Sequence, residues 1–137
     1  MMRTYQLSIF ALLTSVMLGC GGNSETSEPE RIQIQGKVTL DGQPLDDGAI
    51  TFTPPDGAVP VTSPIKAGSY AVKAQVGSNK VSISAFQVDP SIRGNDEYGR
   101  PKDNKVNYIL AKYNQATTLT VEVTASQLEF DFPLSKK

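Results

Sequence analysis

Of the 137 residues, those best equipped for chemistry lie between Gln87 and Gln115, in QVDPSIRGNDEYGRPKDNKVNYILAKYNQ. Asp89, Asn95, Asp96, Glu97, Asp103 and Asn104 offer the hard oxygen atoms that suit calcium. Their spacing matches no EF-hand loop, and the interleaved Arg93, Arg100, Lys102 and Lys105 oppose a cation. No metal site is expected. Tyr98, Tyr108 and Tyr113 offer planar platforms with polar tips, which suit a carbohydrate or a peptide. The candidate binding residues are therefore Arg93, Asp96, Tyr98, Arg100, Tyr108, Lys112 and Tyr113. A third use of the stretch is protein docking. The competing expectation is an ordered excursion in which Ile109 and Tyr113 pack on a sheet edge and the charges are solvated.

Catalysis is constrained from the other side. The chain has no histidine. This excludes Ser-His-Asp and Cys-His nucleophilic chemistry within the chain, and with it the His-bearing catalytic zinc sites. No carboxylate pair or Ser-Lys constellation stands out, so the expectation is a non-enzymatic protein with no cofactor. The single cysteine, Cys20, cannot form an intramolecular disulfide. A formal net charge of -1 gives no basic surface for nucleic acid.

The elements that must position the long loop begin after a targeting segment. Arg3 supplies a positive start, and Leu7 to Leu18 is mainly apolar. That run suits a signal peptide and is short of the ~20 residues a spanning helix needs. Met17-Leu18-Gly19-Cys20 resembles a lipobox, after which bacterial lipoproteins are cleaved and acylated on the new N-terminal cysteine. The resemblance implies a lipoprotein signal peptide over 1–19 and lipid attachment at Cys20. Residues 20–31, with GGNSETSEPER after the cysteine, read as a flexible tether. The expected partners are then a membrane, reached through the N-terminal lipid, and an envelope protein or glycan. The expected location is the cell envelope, with Gly21 after the cysteine favouring the outer membrane.

From Ile32 onward the chain alternates. Ile32, Ile34, Val38 and Leu40 share one parity, and Gln33, Gln35, Lys37 and Thr39 the other, as in a half-buried strand. Asp41-Gly42 is a tight-turn signal, and Asp46-Asp47-Gly48 is a second. Ile50 and Phe52 then point inward, which predicts an opening hairpin. Val61 to Lys66 is a weak strand interrupted by Pro64. Ala67-Gly68 and Gly77-Ser78-Asn79 read as turns around a strand from Ser69 to Ala74. Lys80 to Phe86 is a further strand. Thr117 to Leu134 reads as a closing hairpin turned at Ala125-Ser126-Gln127. The expected core is Ile34, Val38, Ile50, Phe52, Tyr70, Val72, Val81, Ile83, Leu119, Val121, Val123, Leu128, Phe130 and Phe132.

About seven short strands with turns roughly every ten residues argue for an all-β sandwich over 32–137. The run Gly36-Lys37-Val38-Thr39-Leu40-Asp41-Gly42-Gln43-Pro44-Leu45, followed by Gly48-Ala49-Ile50-Thr51-Phe52, resembles the opening of a carboxypeptidase-regulatory-like domain. Such domains recur in small bacterial envelope lipoproteins. Gly68-Ser69-Tyr70 fits a strand-to-strand step of the same family, and Asn107 to Asn114 is similar to its Pro-x-Lys-Tyr-Asn segment without the proline. The resemblance implies a transthyretin-like (prealbumin-like) β-sandwich with a structural or binding role.

Overall fold

The alternation around Ile34 becomes strand β1 (Arg31–Leu40), which buries Ile34 and Val38 and exposes Gln33, Gln35 and Lys37. The computed structural model describes residues 28–92, 94–102 and 104–137. The proposed signal segment, Cys20 and most of the tether lie outside the described residues. After β1 come β2 (Gln43–Pro44), β3 (Asp47–Thr53), β4 (Val61–Lys66), β5 (Ser69–Gln75), β6 (Gly77–Ser84), β7 (Phe86–Val88), β8 (Gly94–Asn95), β9 (Pro101–Lys102) and β10 (Lys105–Asn107). A 3-10 turn at Ala111–Tyr113 precedes β11 (Thr120–Val123) and β12 (Phe132–Leu134). The fold is all-β. Its main sheet runs β11-β6-β3-β4-β5-β1-β12, seven strands along one path, with β2 added to β1.

The sheet cannot be flat. β5 and β6 stand three places apart, about 14 Å in a flat sheet. One residue, Val76, joins them, and two Cα steps span at most about 8 Å. The sheet therefore curls into a half-barrel. Asn79 fastens the corner. It is buried, and its Nδ2 donates to the Gln75 carbonyl at 2.8 Å and to the Gly77 carbonyl at 2.9 Å. The turn expected at Gly77-Ser78-Asn79 is instead the start of β6.

Other turn signals need correction too. Asp41-Gly42 does make a tight turn, with φ of 52° and 81°, but it returns only β2 to β1. No opening hairpin joins β1 to β3, since β4 and β5 lie between them. Asp46-Asp47-Gly48 is no turn, because Asp47 already pairs with Lys66 at the head of β3. The Val61–Lys66 segment is a full strand paired along β3 despite Pro64. At the register of Lys66 and Ser69, Pro64 would stand opposite Ala71. Proline has no amide hydrogen for that ladder. The Ser63 hydroxyl donates to the Ala71 carbonyl instead, at 2.9 Å.

The expected closing hairpin splits. β11 pairs with β6 at one edge of the sheet, and β12 pairs with β1 at the other, in parallel. A lone Thr124–Gln127 bridge remains at the turn. Beyond it the chain lies along β1. Gln35 N–H donates to the Leu128 carbonyl at 2.9 Å, and Phe130 N–H to the Gln35 carbonyl at 3.0 Å. Leu128 lends β1 its carbonyl and stays exposed, contrary to its expected place in the core. Phe130, Phe132 and Leu134 turn inward.

The inner face of the curl holds the core. Ile34, Val38, Ile50, Phe52, Tyr70, Val81, Ile83 and Val123 are buried as expected, and Val72, Leu119 and Val121 are partly buried against them. Leu45, Ile65, Ala74, Ala85 and Ile109 join them. The Tyr70 ring packs at 5.9 Å from Phe52 and 6.2 Å from Phe132. Its hydroxyl donates to the Phe130 carbonyl at 2.8 Å. Phe130 crosses so close to β1 that a Cβ on Gly36 would lie 1.8 Å from the Phe130 carbonyl oxygen.

Burial pushes the Tyr70 phenol well above its usual range, and Asp131 and Glu129 push it further. The folded state thus keeps a proton that the unfolded chain releases near pH 10. Folding stability should be intact below that pH and fall as pH rises above it. Tyr70→Phe should cost about 1–3 kcal/mol at neutral pH, because the Phe130 carbonyl loses its buried donor. It should also flatten the alkaline slope. Urea denaturation of both chains across pH 7 to 11 checks both outcomes.

Candidate functional site

The stretch expected to be an irregular loop is a built arm. Past Ala85, β6 continues into β7, and β10 pairs with β7 from Lys105–Val88 to Asn107–Phe86. β10 and β11 both run antiparallel to this long strand, β10 beside β7 and β11 beside β6. The residues between them, with the 3-10 turn, form a bulge on the same side. Beyond β7 the arm carries a second small ladder, β8 with β9. Short strands, prolines and polar residues gave no periodic signal here. The pairing is legible only once Val88 and Lys105 are brought together.

Asn107 secures the root of the arm. Its Oδ1 accepts from the Ala85 amide at 3.2 Å and from the Ile109 amide at 3.1 Å. Ile109 is thereby set into the core. Thr117, also buried, donates its hydroxyl to the Val81 carbonyl at 2.6 Å. Asn114 Nδ2 donates to the carbonyls of Ile109 and Leu110, each at 3.0 Å. Ile109 and Tyr113 therefore pack on the sheet as the excursion reading expected.

At the tip, Asp96 organises the turn. Its Oδ1 accepts from the Tyr98 and Arg100 amides, each at 2.9 Å, and its Oδ2 from Arg100 Nε at 2.6 Å. These bonds, led by the Arg100 amide, hold the Asp96 carboxyl below the usual range. The Arg100 guanidinium lies 5.3 Å from the centre of the Tyr98 ring. Asp89 closes another small turn, accepting from the Ser91 hydroxyl at 2.6 Å and the Ser91 amide at 2.9 Å. Those bonds likewise lower its pKa.

The candidate binding residues fall into two groups. Asp96, Tyr98 and Arg100 meet at the tip. Tyr108, Lys112 and Tyr113 lie at the root, where Lys112 Nζ stands 5.0 Å from the Tyr113 ring and the Tyr113 hydroxyl accepts from the Ser135 amide at 3.1 Å. The β7–β10 ladder separates the groups. Arg93 and Asp103 lie outside the described residues. Tyr98 is 75% exposed, whereas Tyr108 and Tyr113 are half-buried against the core. One tyrosine of the three is an open platform. Among the described residues, no three His, Cys, Asp or Glu side chains gather as a metal site would need.

The chain matches no protein-family model, no curated protein and no solved structure. Its site is therefore read from its own geometry.

Sequence reasoning passed over the apolar face of the arm. Phe86 is 58% exposed and Val88 52%, and they point the same way two residues apart. Ile92 is exposed as well. Two hollows flank this face. One, of about 490 Å³, is lined by Asp47, Gly48, Ala49, Ser84, Phe86 and Lys105. The other, of about 420 Å³, includes Val88, Asp89, Pro90, Ile92, Lys102 and Asn104. The signal is present in Phe86-Gln87-Val88, an alternating triplet, but the sequence reading divides it, with Phe86 ending a strand and Gln87 opening the long loop.

Asn107→Ala should leave two amides at the root without their acceptor and cost about 1–2 kcal/mol. The arm should loosen before the sheet does. Amide exchange is the check: faster exchange over 105–109 with unchanged protection over 31–38 is the expected pattern.

Proposed function

We propose that the chain is a membrane-anchored lipoprotein of the cell envelope, whose non-catalytic, transthyretin-like β-domain presents the arm to a partner protein. The observation that carries the interaction role is the exposed pair Phe86 and Val88. They stand on a ribbon rooted in the core through Asn107 and Ile109. Large apolar side chains kept at the surface of a rigid element suit an interface, and binding residues are commonly carried on segments held by a rigid scaffold. The anchor rests on sequence. The Leu7–Leu18 run, Gly19-Cys20 and the polar tract after it support cleavage and acylation at Cys20. Two or more acyl chains hold a protein on a bilayer where one gives only marginal binding. The family likeness in Gly36-Lys37-Val38 and Asp41-Gly42-Gln43-Pro44-Leu45 supports the same placement. An outward-facing membrane surface fits all three.

A second reading, a glycan-binding accessory module, is favoured by the open Tyr98 ring beside Arg100. An aromatic face with a neighbouring guanidinium suits a sugar ring with its hydroxyls.

The anchor is tested by labelling cells with radioactive palmitate. The wild-type chain should take up label and partition into detergent, and Cys20→Ser should do neither. An unlabelled wild-type chain found in the aqueous phase would contradict the anchor. Phe86→Ser with Val88→Ser should keep the fold, because both side chains are exposed. A partner protein captured by the intact chain and lost from this variant supports the interaction role. A partner retained by both places binding elsewhere.

A further inference from the structure

The hydrogen-bond parity of the arm exposes an open strand edge. Asp89 N–H donates to the Asn104 carbonyl at 2.9 Å, and Tyr108 N–H to the Ala85 carbonyl at 3.1 Å. Both bonds belong to the register that sets Lys105 opposite Val88 and Asn107 opposite Phe86. In an antiparallel ladder, bonded and non-bonded pairs alternate. Pairs 85–108, 87–106 and 89–104 are the bonded ones. The N–H and C=O groups of Phe86 and Val88 consequently face away from β10, toward the side where β3 lies beside β6.

β3 does not reach them. Its ladder with β6 ends at Ala49–Ser84. One bonded step further, Asp47 would stand opposite Phe86, but the ladder stops short of that pair, and Asp47 pairs only with Lys66 on its other side. The chain before it turns aside, with Leu45 N–H donating to the Val38 carbonyl at 3.0 Å. The hollow of about 490 Å³ opens where β3 diverges, and the other hollow continues past Val88. Phe86 and Val88 thus combine an exposed apolar face with an unpaired main-chain edge.

We propose that this edge binds an extended, acidic peptide segment of a partner protein, which adds to β7 as a strand in the place that β3 leaves vacant. The inference rests on the interaction role proposed above and names its site and partner chemistry. Main-chain pairing with Phe86 and Val88 supplies affinity, and alternate side chains of the peptide supply specificity. Apolar side chains of the segment cover Phe86 and Val88. Lys105, paired opposite Val88, shares their face and lines the first hollow, and Lys102 lines the second, so acidic side chains placed two residues from the apolar ones, on the same face, meet them. Among the described residues neither lysine makes an ion pair, the Asp47 charge is matched by Lys66, and Asp89, still ionised in its Ser91 turn, is the one carboxylate of the two linings set against both lysines. The unsatisfied charge along the edge is therefore positive. Exposed strand edges invite pairing unless they are blocked, and neither Phe86 nor Val88 blocks this one.

The test titrates the full chain in detergent with a short synthetic peptide in which valine and glutamate take turns at every second position, with threonine between them, so that both lie on one face, beside the same peptide with lysine in place of glutamate. The glutamate peptide should bind and slow amide exchange at Phe86 and Val88. Val88→Pro removes only the outward donor, because the Val88 N–H does not face β10. This variant should keep its denaturation midpoint and weaken binding by at least about tenfold, the effect of losing ~1.4 kcal/mol. Lys102→Glu with Lys105→Glu should reverse the peptide preference. A glutamate peptide methylated on alternate amide nitrogens repeats the test without altering the protein, and it should not bind. Equal binding by Val88→Pro or by the methylated peptide overturns strand addition, and so does a lack of binding by either parent peptide. A chain that sediments as a dimer, and as a monomer with Val88→Pro, overturns it in favour of a second copy of this chain. An envelope partner captured equally by wild type and Val88→Pro leaves the interaction role standing and sinks the proposed site.

Discussion

The contact on which the rest of the structure depends is the Tyr70 hydroxyl on the Phe130 carbonyl, over the bare backbone of Gly36. Three residues far apart in sequence meet there, one each from β5, the C-terminal segment and β1. The absence of a side chain at Gly36 lets Phe130 approach. The Tyr70 ring fills the space beneath, against Phe52 and Phe132. With Phe130 seated, the chain runs parallel to β1 from Val38–Phe132 to Leu40–Leu134. Parallel neighbours need a long connection between them. Here that connection is nearly the whole domain, so this pairing ties the two ends of the described chain together.

The curl and the arm follow from the same economy of strands. Val76 alone joins β5 to β6, and that short link bends the sheet until its inner face encloses one core. β6 is then longer than its neighbour. β3 stops pairing with it at Ala49, and the residues before Asp47 bond to β1 and to the β4–β5 turn, as Leu45 N–H to the Val38 carbonyl and Ala67 N–H to the Asp46 carbonyl. The surplus of the long strand, β7, is supported on one side by β10 and open on the other. Asn107 and Ile109 fix its base to the core, which makes the arm an extension of the scaffold rather than a loose excursion. The proposed interaction role is carried by what the sheet leaves unpaired.

Much of the sheet was legible in local pattern. Ile34, Val38, Ile50, Phe52, Val81 and Ile83 declare their inward face by alternation alone, and Asp41-Gly42 and Ala67-Gly68 declare tight turns. Pairing was not legible where it is non-local. Asp41-Gly42 looks like the bend of a large hairpin, yet β2 ends after two residues and β3 finds β4. Ala125-Ser126 looks like another, yet the two arms go to opposite edges of the sheet. Pro64 argued against a strand because nothing in the sequence says that Ser63 will supply the missing donor. Asn79 read as a turn residue, and its real use is inside a corner. In the arm the polar and tyrosine residues drew attention by type. Packing sorts them otherwise, with Tyr108 and Tyr113 against the core, Asp96 and Arg100 bound to each other, and Phe86 and Val88 left facing solvent.

The most direct test of this account is amide exchange of the full chain, read at Gln35, Asp41 and Phe130. Their N–H groups donate to the carbonyls of Leu128, Leu134 and Gln35, and these bonds fasten the C-terminal segment to β1. If that closure organises the fold, all three amides exchange only with global unfolding, as slowly as those of β3 and β6. Exchange at these three positions at the rate of a frayed terminus, with β3 and β6 still protected, would contradict it.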